Sequence, residues 1–182
     1  MAQIVVLDAC VLYPAPLRDF LLHIAHIGLY SPKWSAIIQD EWIRNLLANR
    51  QDLTAKSLER TAQAMQNAFP DAEVVGFEAL IQTINLPDAD DRHVLATAIQ
   101  AGAKHILTFN LKDFPQTELD KWGIIALHPD DFIMQIWQES PQEIKQALEN
   151  QVKLLKNPPM TFEQVLANLA ICGLPKIVGR LK

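Results

Sequence analysis

An α/β domain built on a mainly parallel sheet, followed by a purely helical extension, is the fold class this sequence predicts, on three observations. Ile4 to Leu7, IVVL, is an apolar and mainly β-branched run without polar alternation, which suits a strand covered on both faces. From there to residue 128, strand-like and helix-like stretches alternate, as they do when crossover helices connect parallel strands. Beyond residue 128 only helical spacing remains. The chain therefore divides into a main domain over residues 1–128 and a helical extension over 129–182, packed on that domain or on a partner. At 182 residues it is long enough for one well-buried domain with an appendage and short for two full ones.

Taken in order, Asp8 follows the first strand directly, where a charge either caps the next turn or faces a ligand. Tyr13, Pro14 and Pro16 then break the chain before a helix from about Leu17 to Ile27, striped by Phe20, Leu21, Ile24 and Ile27. His23 and His26 on that helix have no Cys, His or Glu nearby to continue a zinc motif, and they read as packing or solvent contacts. Gly28 ends the helix, and Leu29 to Pro32 is a short strand. Ser35 signals the next helix, SAIIQDEWIRNLLANR, whose buried side is Ile37, Ile38, Trp42, Leu46 and Leu47. Glu41 emerges beside that stripe and Asp40 is turned about 100° from it; spacing alone does not choose between them. Leu53 to Phe69 reads as an amphipathic helix closed by Pro70-Asp71, Glu73 to Phe77 as a short strand, and the residues through Ile81 as a brief helix.

The most informative stretch runs from Leu86 to Phe114. Pro87 excludes a helix through the residue before it, Asp88 can cap a new one, and Asp91 falls three positions on. Val94, Leu95, Ala98 and Ile99 repeat at helical spacing, and Gly102 can close the helix in the left-handed conformation. Asp91 precedes Leu95 by four residues and Ala98 by seven, so its carboxylate shares the burial face and needs a partner there. Asp88 and Asp90 read as a cap and a solvated charge. Lys104 to Phe109 is a short apolar strand, with Thr108, Asn110 and Asp113 at its carboxyl end, the end where ligands sit in open α/β sheets. As a turn residue, Asn110 is accounted for equally well. Trp122 to Leu127 is the last strand, and HPDDF starts a helix with Asp130 or its neighbour as cap. The tail then shows three helical segments, Phe132 to Trp137, Ile144 to Leu155 and Phe162 to Ile171.

DxC at Asp8, an acidic residue on a central helix, DDRHVLATAI and TFNLKDF occur in an order that resembles the PIN domain family, metal-dependent nucleases that include the VapC-type toxins. The resemblance covers residues 1 to about 128. One departure is Cys10, where many relatives have Ser or Thr two residues after the first Asp. The resemblance implies a three-layer α/β/α fold and assigns the helical acid to Glu41, because the motif places it just before the Trp. It further implies Asp8, Glu41 and Asp91 as core ligands of Mg²⁺ or Mn²⁺, with Asp113 completing the catalytic set. Thr108 and Asn110 would orient Asp8 or the substrate. Hard oxygen donors without Cys or His favour these ions over zinc.

The implied activity is endoribonucleolytic hydrolysis of RNA phosphodiester bonds, as the toxin of a toxin-antitoxin pair. The partners implied are RNA, a cognate antitoxin protein and a second copy of the chain in a homodimer. Two other readings compete. An aspartyl phosphotransferase of haloacid-dehalogenase type would need a second Asp where Cys10 stands. An inert PIN-like module would bind RNA or protein without cutting.

Composition sets limits on these readings. The net charge of −5 opposes a surface that binds phosphates broadly, so local cations would have to serve, the candidates being Arg18, Lys33, Arg44, Arg92 and Lys112. Cys10 and Cys172 stand far apart with no CxxC motif, which suits reduced thiols. No apolar run reaches the length of a membrane span, and the first ten residues lack the basic start of a signal peptide. The expectation is a cytoplasmic protein without membrane contact.

Overall fold

The computed structural model describes residues 1–182. Four strands, β1 (Gln3–Leu7), β2 (Tyr30–Lys33), β3 (His105–Leu107) and β4 (Ile125–Leu127), lie parallel in the order β2-β1-β3-β4. Val5, Val6 and Leu7 are fully buried because β1 is central and covered on both faces, as their unbroken apolar run requires.

The connections carry the helices. Between β1 and β2 run α1 (Ala9–Leu12) and α2 (Ala15–His26). Between β2 and β3 run α3 (Ala36–Asn49), α4 (Ala55–Ala68), α5 (Glu78–Ile81) and α6 (Arg92–Ala101), and α7 (Gln116–Leu119) leads to β4. The chain leaves β1 toward β2 and then crosses back over β1 to β3. Right-handed crossovers in opposite directions put α2 and α6 on opposite faces, which gives three layers. The crevice between the carboxyl ends of β1 and β3 is the point where the winding reverses, the usual ligand position in such a sheet.

Beyond β4 come α8 (Pro129–Glu139), α9 (Pro141–Leu154), α10 (Phe162–Ile171) and α11 (Pro175–Leu181). One apolar cluster joins Val5 and Leu21 to Ile133, Leu148, Leu169 and Ile177, and the Gln151 amide donates to the carbonyl of Pro16 at 3.0 Å. The tail therefore packs on the sheet domain. No helix is long and apolar enough to cross a membrane.

Several local expectations need correction. The segment after β1, to which the sequence reading gave no element, turns at once into the short helix α1, capped by Asp8. Glu73 to Phe77 makes only an isolated bridge, Trp34 to Glu73, because Gly76 takes a positive φ of 78° and turns the chain away. Asp88 caps a 3₁₀ turn over Ala89–Asp91, accepting from the Asp90 amide at 2.9 Å, and α6 proper starts only at Arg92. The cap of α8 is His128, whose Nδ1 accepts from the Asp130 amide at 3.1 Å. Asp130 instead turns inward to cap the fourth tail helix, α11, which the sequence reading missed: it accepts from the amides of Lys176 at 2.9 Å and Ile177 at 3.0 Å.

Candidate functional site

Asp8 leaves β1 at its carboxyl end, where its own amide still donates to Leu107 O at 3.0 Å. Its side chain is buried and held from three sides. Oδ1 accepts from the Ala9 amide at 2.7 Å, Oδ2 accepts from the Thr108 hydroxyl at 2.8 Å, and the Cys10 thiol donates to Oδ2 at 3.5 Å. Thr108 is oriented in turn, since its oxygen accepts from the Asn110 amide at 3.0 Å and its proton is left for Asp8. Burial pushes the Asp8 carboxyl up from its ordinary value against the pull of the Thr108 and Ala9 bonds, and the Glu41 charge adds to the rise.

Cys10 stands in for the hydroxyl that the motif leads one to expect. Burial, followed by the Asp8 charge, pushes its thiol up to about 12, so it remains protonated and can donate. Its sulfur also accepts from the Phe109 amide at 3.4 Å, which ties α1 to the loop after β3.

Ser35 fixes the start of α3 by accepting from the Ile38 amide at 3.2 Å, and Ile38, Trp42 and Leu46 are its buried residues. That orientation turns Glu41 toward β1 and leaves Asp40 outside, its side chain 71% exposed and paired with Arg44 at 3.0 Å. Glu41 meets His93 of α6, with Nε2 and Oε2 3.4 Å apart. Asp91 occupies the cap position of α6 yet makes no side-chain cap bond, so its half-exposed carboxylate is free to face the other acids. Burial, then the charges of Asp8, Asp88, Asp113 and Glu41, push it up to about 7.

Asp8, Glu41, Asp91 and Asn110 line one cleft of about 330 Å³ with Cys10, Tyr13, Asn45 and Asn49. Thr108 lies beneath it, fully buried. Asp113 does not line the cleft; it ends the 3₁₀ turn Leu111–Asp113 and acts on Asp91 through charge. No Lys or Arg is in the lining. Of the candidate cations, Arg18 is buried against the Trp42 ring at 4.6 Å and donates to Leu12 O at 2.7 Å, Lys33 donates to Asp71 O, and Arg44 pairs with Asp40. A larger cavity of about 570 Å³ lies between α2, α4 and α9, where Asp19 is its one carboxylate, so it gathers none of the proposed ligands.

No three His, Cys, Asp or Glu side chains close on one point as direct ligands. The cleft's charged donors are all carboxylate oxygens, no Lys or Arg in the lining offsets them, the Cys10 thiol is protonated, and there is room for water. That suits an ion such as Mg²⁺, held through one or two carboxylates and retained waters, and does not suit tetrahedral zinc. His93, Tyr13, Asn45 and Asn49 were missed in the sequence. Only Asn45 and Asn49 had a signal there, standing four and eight residues after Glu41 on one helix.

Comparison with known proteins gives two family matches. Residues 4–112 match the PIN domain, and residues 129–182 match the VapC50 C-terminal domain. VapC50 of Mycobacterium tuberculosis, which is named provisionally as a ribonuclease, is 36% identical over 100 residues, or 55% of this chain. The aligned stretch spans 59% of that relative's length. No solved structure matches the chain.

Proposed function

The chain belongs to the PIN domain family, and from that premise we propose that it is a divalent-metal-dependent endoribonuclease with Asp8, Glu41, Asp91 and Asp113 as its acidic site. The observation that carries the reading is the meeting of Asp8, Glu41 and Asp91, from three separate parts of the chain, in one cleft at the winding reversal of the sheet. Like charges brought together without a lysine or arginine cost stability unless a cation neutralises them. The similarity to VapC50 supports RNA as the substrate.

Mg²⁺ or Mn²⁺, when bound, would lower the cost of placing a scissile phosphate among carboxylates and polarise the attacking water. The chain's own residues prepare the place for it. Thr108, Cys10 and the Ala9 amide lock Asp8 in one rotamer, so no side-chain freedom is lost on binding. His93 Nε2 stands 3.4 Å from Glu41 Oε2. Asp91 supplies a half-exposed carboxylate, and Asp113 adds charge from outside the cleft, consistent with a role through water. The Asn110 amide keeps the Thr108 proton directed at Asp8.

Residues 1–128 are then the nuclease domain and 129–182 a helical extension packed upon it. The toxin role and a cognate antitoxin partner are part of the same proposal; a neighbouring gene for a small DNA-binding protein, and growth arrest relieved by its co-expression, test them. The test of the chemistry is incubation of the full chain with single-stranded RNA, structured RNA and DNA in Mg²⁺, Mn²⁺ or EDTA. RNA cleavage that EDTA abolishes is expected; absence of metal-dependent cleavage of every RNA overturns the reading.

A further inference from the structure

Three neutral residues of the cleft, Tyr13, Asn45 and Asn49, have no part in the site as described so far. Glu41, Asn45 and Asn49 stand at i, i+4 and i+8 on α3, so they share one helix face at intervals of about 6 Å of rise. The two amides therefore lead away from the carboxylates in file, and both line the cleft. They are exposed, and neither makes a hydrogen bond within the protein. Some helical amides in this chain satisfy one another, as Gln63 does by donating to Asn67 at 2.9 Å and Gln146 by donating to Asn150 at 2.9 Å; Asn45 and Asn49 do not, and they face the cleft. Tyr13, at the end of α1, adds an aromatic ring and a hydroxyl without an internal partner to the same cleft. The helix beneath the amides is anchored by buried Trp42 and Leu46, so their positions are fixed by packing.

We infer that Asn45, Asn49 and Tyr13 form a nucleotide-reading subsite beside the carboxylates, recognising unstacked bases of single-stranded RNA by neutral polar contact and stacking. The inference rests on the nuclease reading and adds the substrate class. A primary amide presents a donor and an acceptor side by side, the pattern of a base edge, and a phenol ring offers a stacking face. Phosphate recognition by charge is not available in this cleft, because no Lys or Arg lines it. Duplex RNA presents its backbone and minor groove, whereas a single strand can turn its bases into such a cleft.

Two readouts test this on the full-length protein: cleavage-site profiles on a randomised single-stranded RNA pool with Mn²⁺, and anisotropy of labelled octamers with Ca²⁺ in place of Mn²⁺. The wild type is expected to prefer particular bases beside the cut and to bind octamers with a shallow salt dependence. Asn45→Ala and Asn49→Ala should each flatten preference at one flanking position by about tenfold, with thermal midpoint and Mn²⁺ affinity unchanged. A double variant with the wild-type profile and octamer affinity overturns the subsite and leaves the nuclease reading intact. A wild type that cuts nothing but binds octamers through Asn45 and Asn49 leaves the subsite and ends the nuclease reading. Failure to bind any octamer overturns the subsite, while metal-dependent cleavage of RNA still decides the nuclease reading.

Discussion

Asp8 and Asp130 are both buried carboxylates, 4% and 2% exposed, and they sit in opposite electrical surroundings. Asp130 accepts from two backbone amides at the first turn of α11, where the helix dipole favours a negative charge, and the Lys176 ammonium stands beside it on Asp131. Asp8 also has donors, Thr108 and Ala9, but its open side faces Glu41 and Asp91 with no cation. A carboxylate met by donors and positive charge holds the fold together. One met by other carboxylates costs stability, and such a site is where a bound cation would have the most effect.

The sharpest test of that contrast removes one charge from each place. Asp91→Asn should reduce metal-dependent RNA cleavage about a thousandfold or more while the far-ultraviolet spectrum is unchanged; wild-type activity in purified variant would remove Asp91 from the site. Asp130→Ala should do the opposite. It leaves two amides of α11 without acceptors inside the core and should cost about 2–3 kcal/mol in urea unfolding, with activity per folded molecule retained. Loss of activity without loss of stability would show that the two carboxylates are not separated in role.

Much of this contrast was legible in the sequence, and what was not has local physical causes. Asp8 and Asp91 could be picked out because one is an acid at a strand end and the other an acid on the burial face of a helix, whereas Glu41 was separated from Asp40 only by the resemblance to the PIN motif, since spacing left both open. β1, β3 and β4 could be found because short apolar runs in a parallel sheet need no alternation; β2, with the sequence YSPK, is not such a run and was placed only by the turn before it and the helix start after it. Asp130 was misjudged because a helix start beginning HPDDF offers three plausible caps, and only the fold decides that His128 takes the role while Asp130 reaches 46 residues along the chain to Lys176. Helix α11 was missed because Pro175 to Leu181 is seven residues long and carries a glycine, too little for periodicity to register. The His93 to Glu41 contact joins two helices 52 residues apart in sequence, and spacing cannot reveal it.

A smaller effect follows from the raised Asp91 carboxyl, displaced from an ordinary 3.8 to about 7. In the folded protein the proton is held more tightly than in the unfolded chain. The resulting stability is present in full below pH 3.8 and is lost as pH rises through 7. Metal-free Asp91→Asn lacks this loss. It should be level with the wild type near pH 4 and more stable by about 1 kcal/mol at pH 8, a figure reduced for the half-exposed position of the group. Mn²⁺ at pH 8 should raise the wild-type melting temperature more than that of the variant. A stability difference independent of pH between 4 and 8 would count against the crowding of acids around Asp91.

The smallest expected change separates neighbours on one helix. Asp40 and Glu41 are adjacent, and the 100° turn between adjacent helical residues sends one to solvent and the other into the cleft. Asp40 forms an exposed pair with Arg44, both side chains about two-thirds exposed or more. Pairs of this kind contribute little because water screens them and two long side chains lose freedom in forming them. Asp40→Asn should therefore shift stability by less than about 0.5 kcal/mol and leave Mn²⁺ binding and cleavage as in the wild type. Glu41→Gln should weaken both while scarcely changing the unfolding midpoint. Reversal of that pattern, with Asp40→Asn inactive and Glu41→Gln active, would mean that α3 presents the other face to β1 and that the carboxylate set must be reassigned.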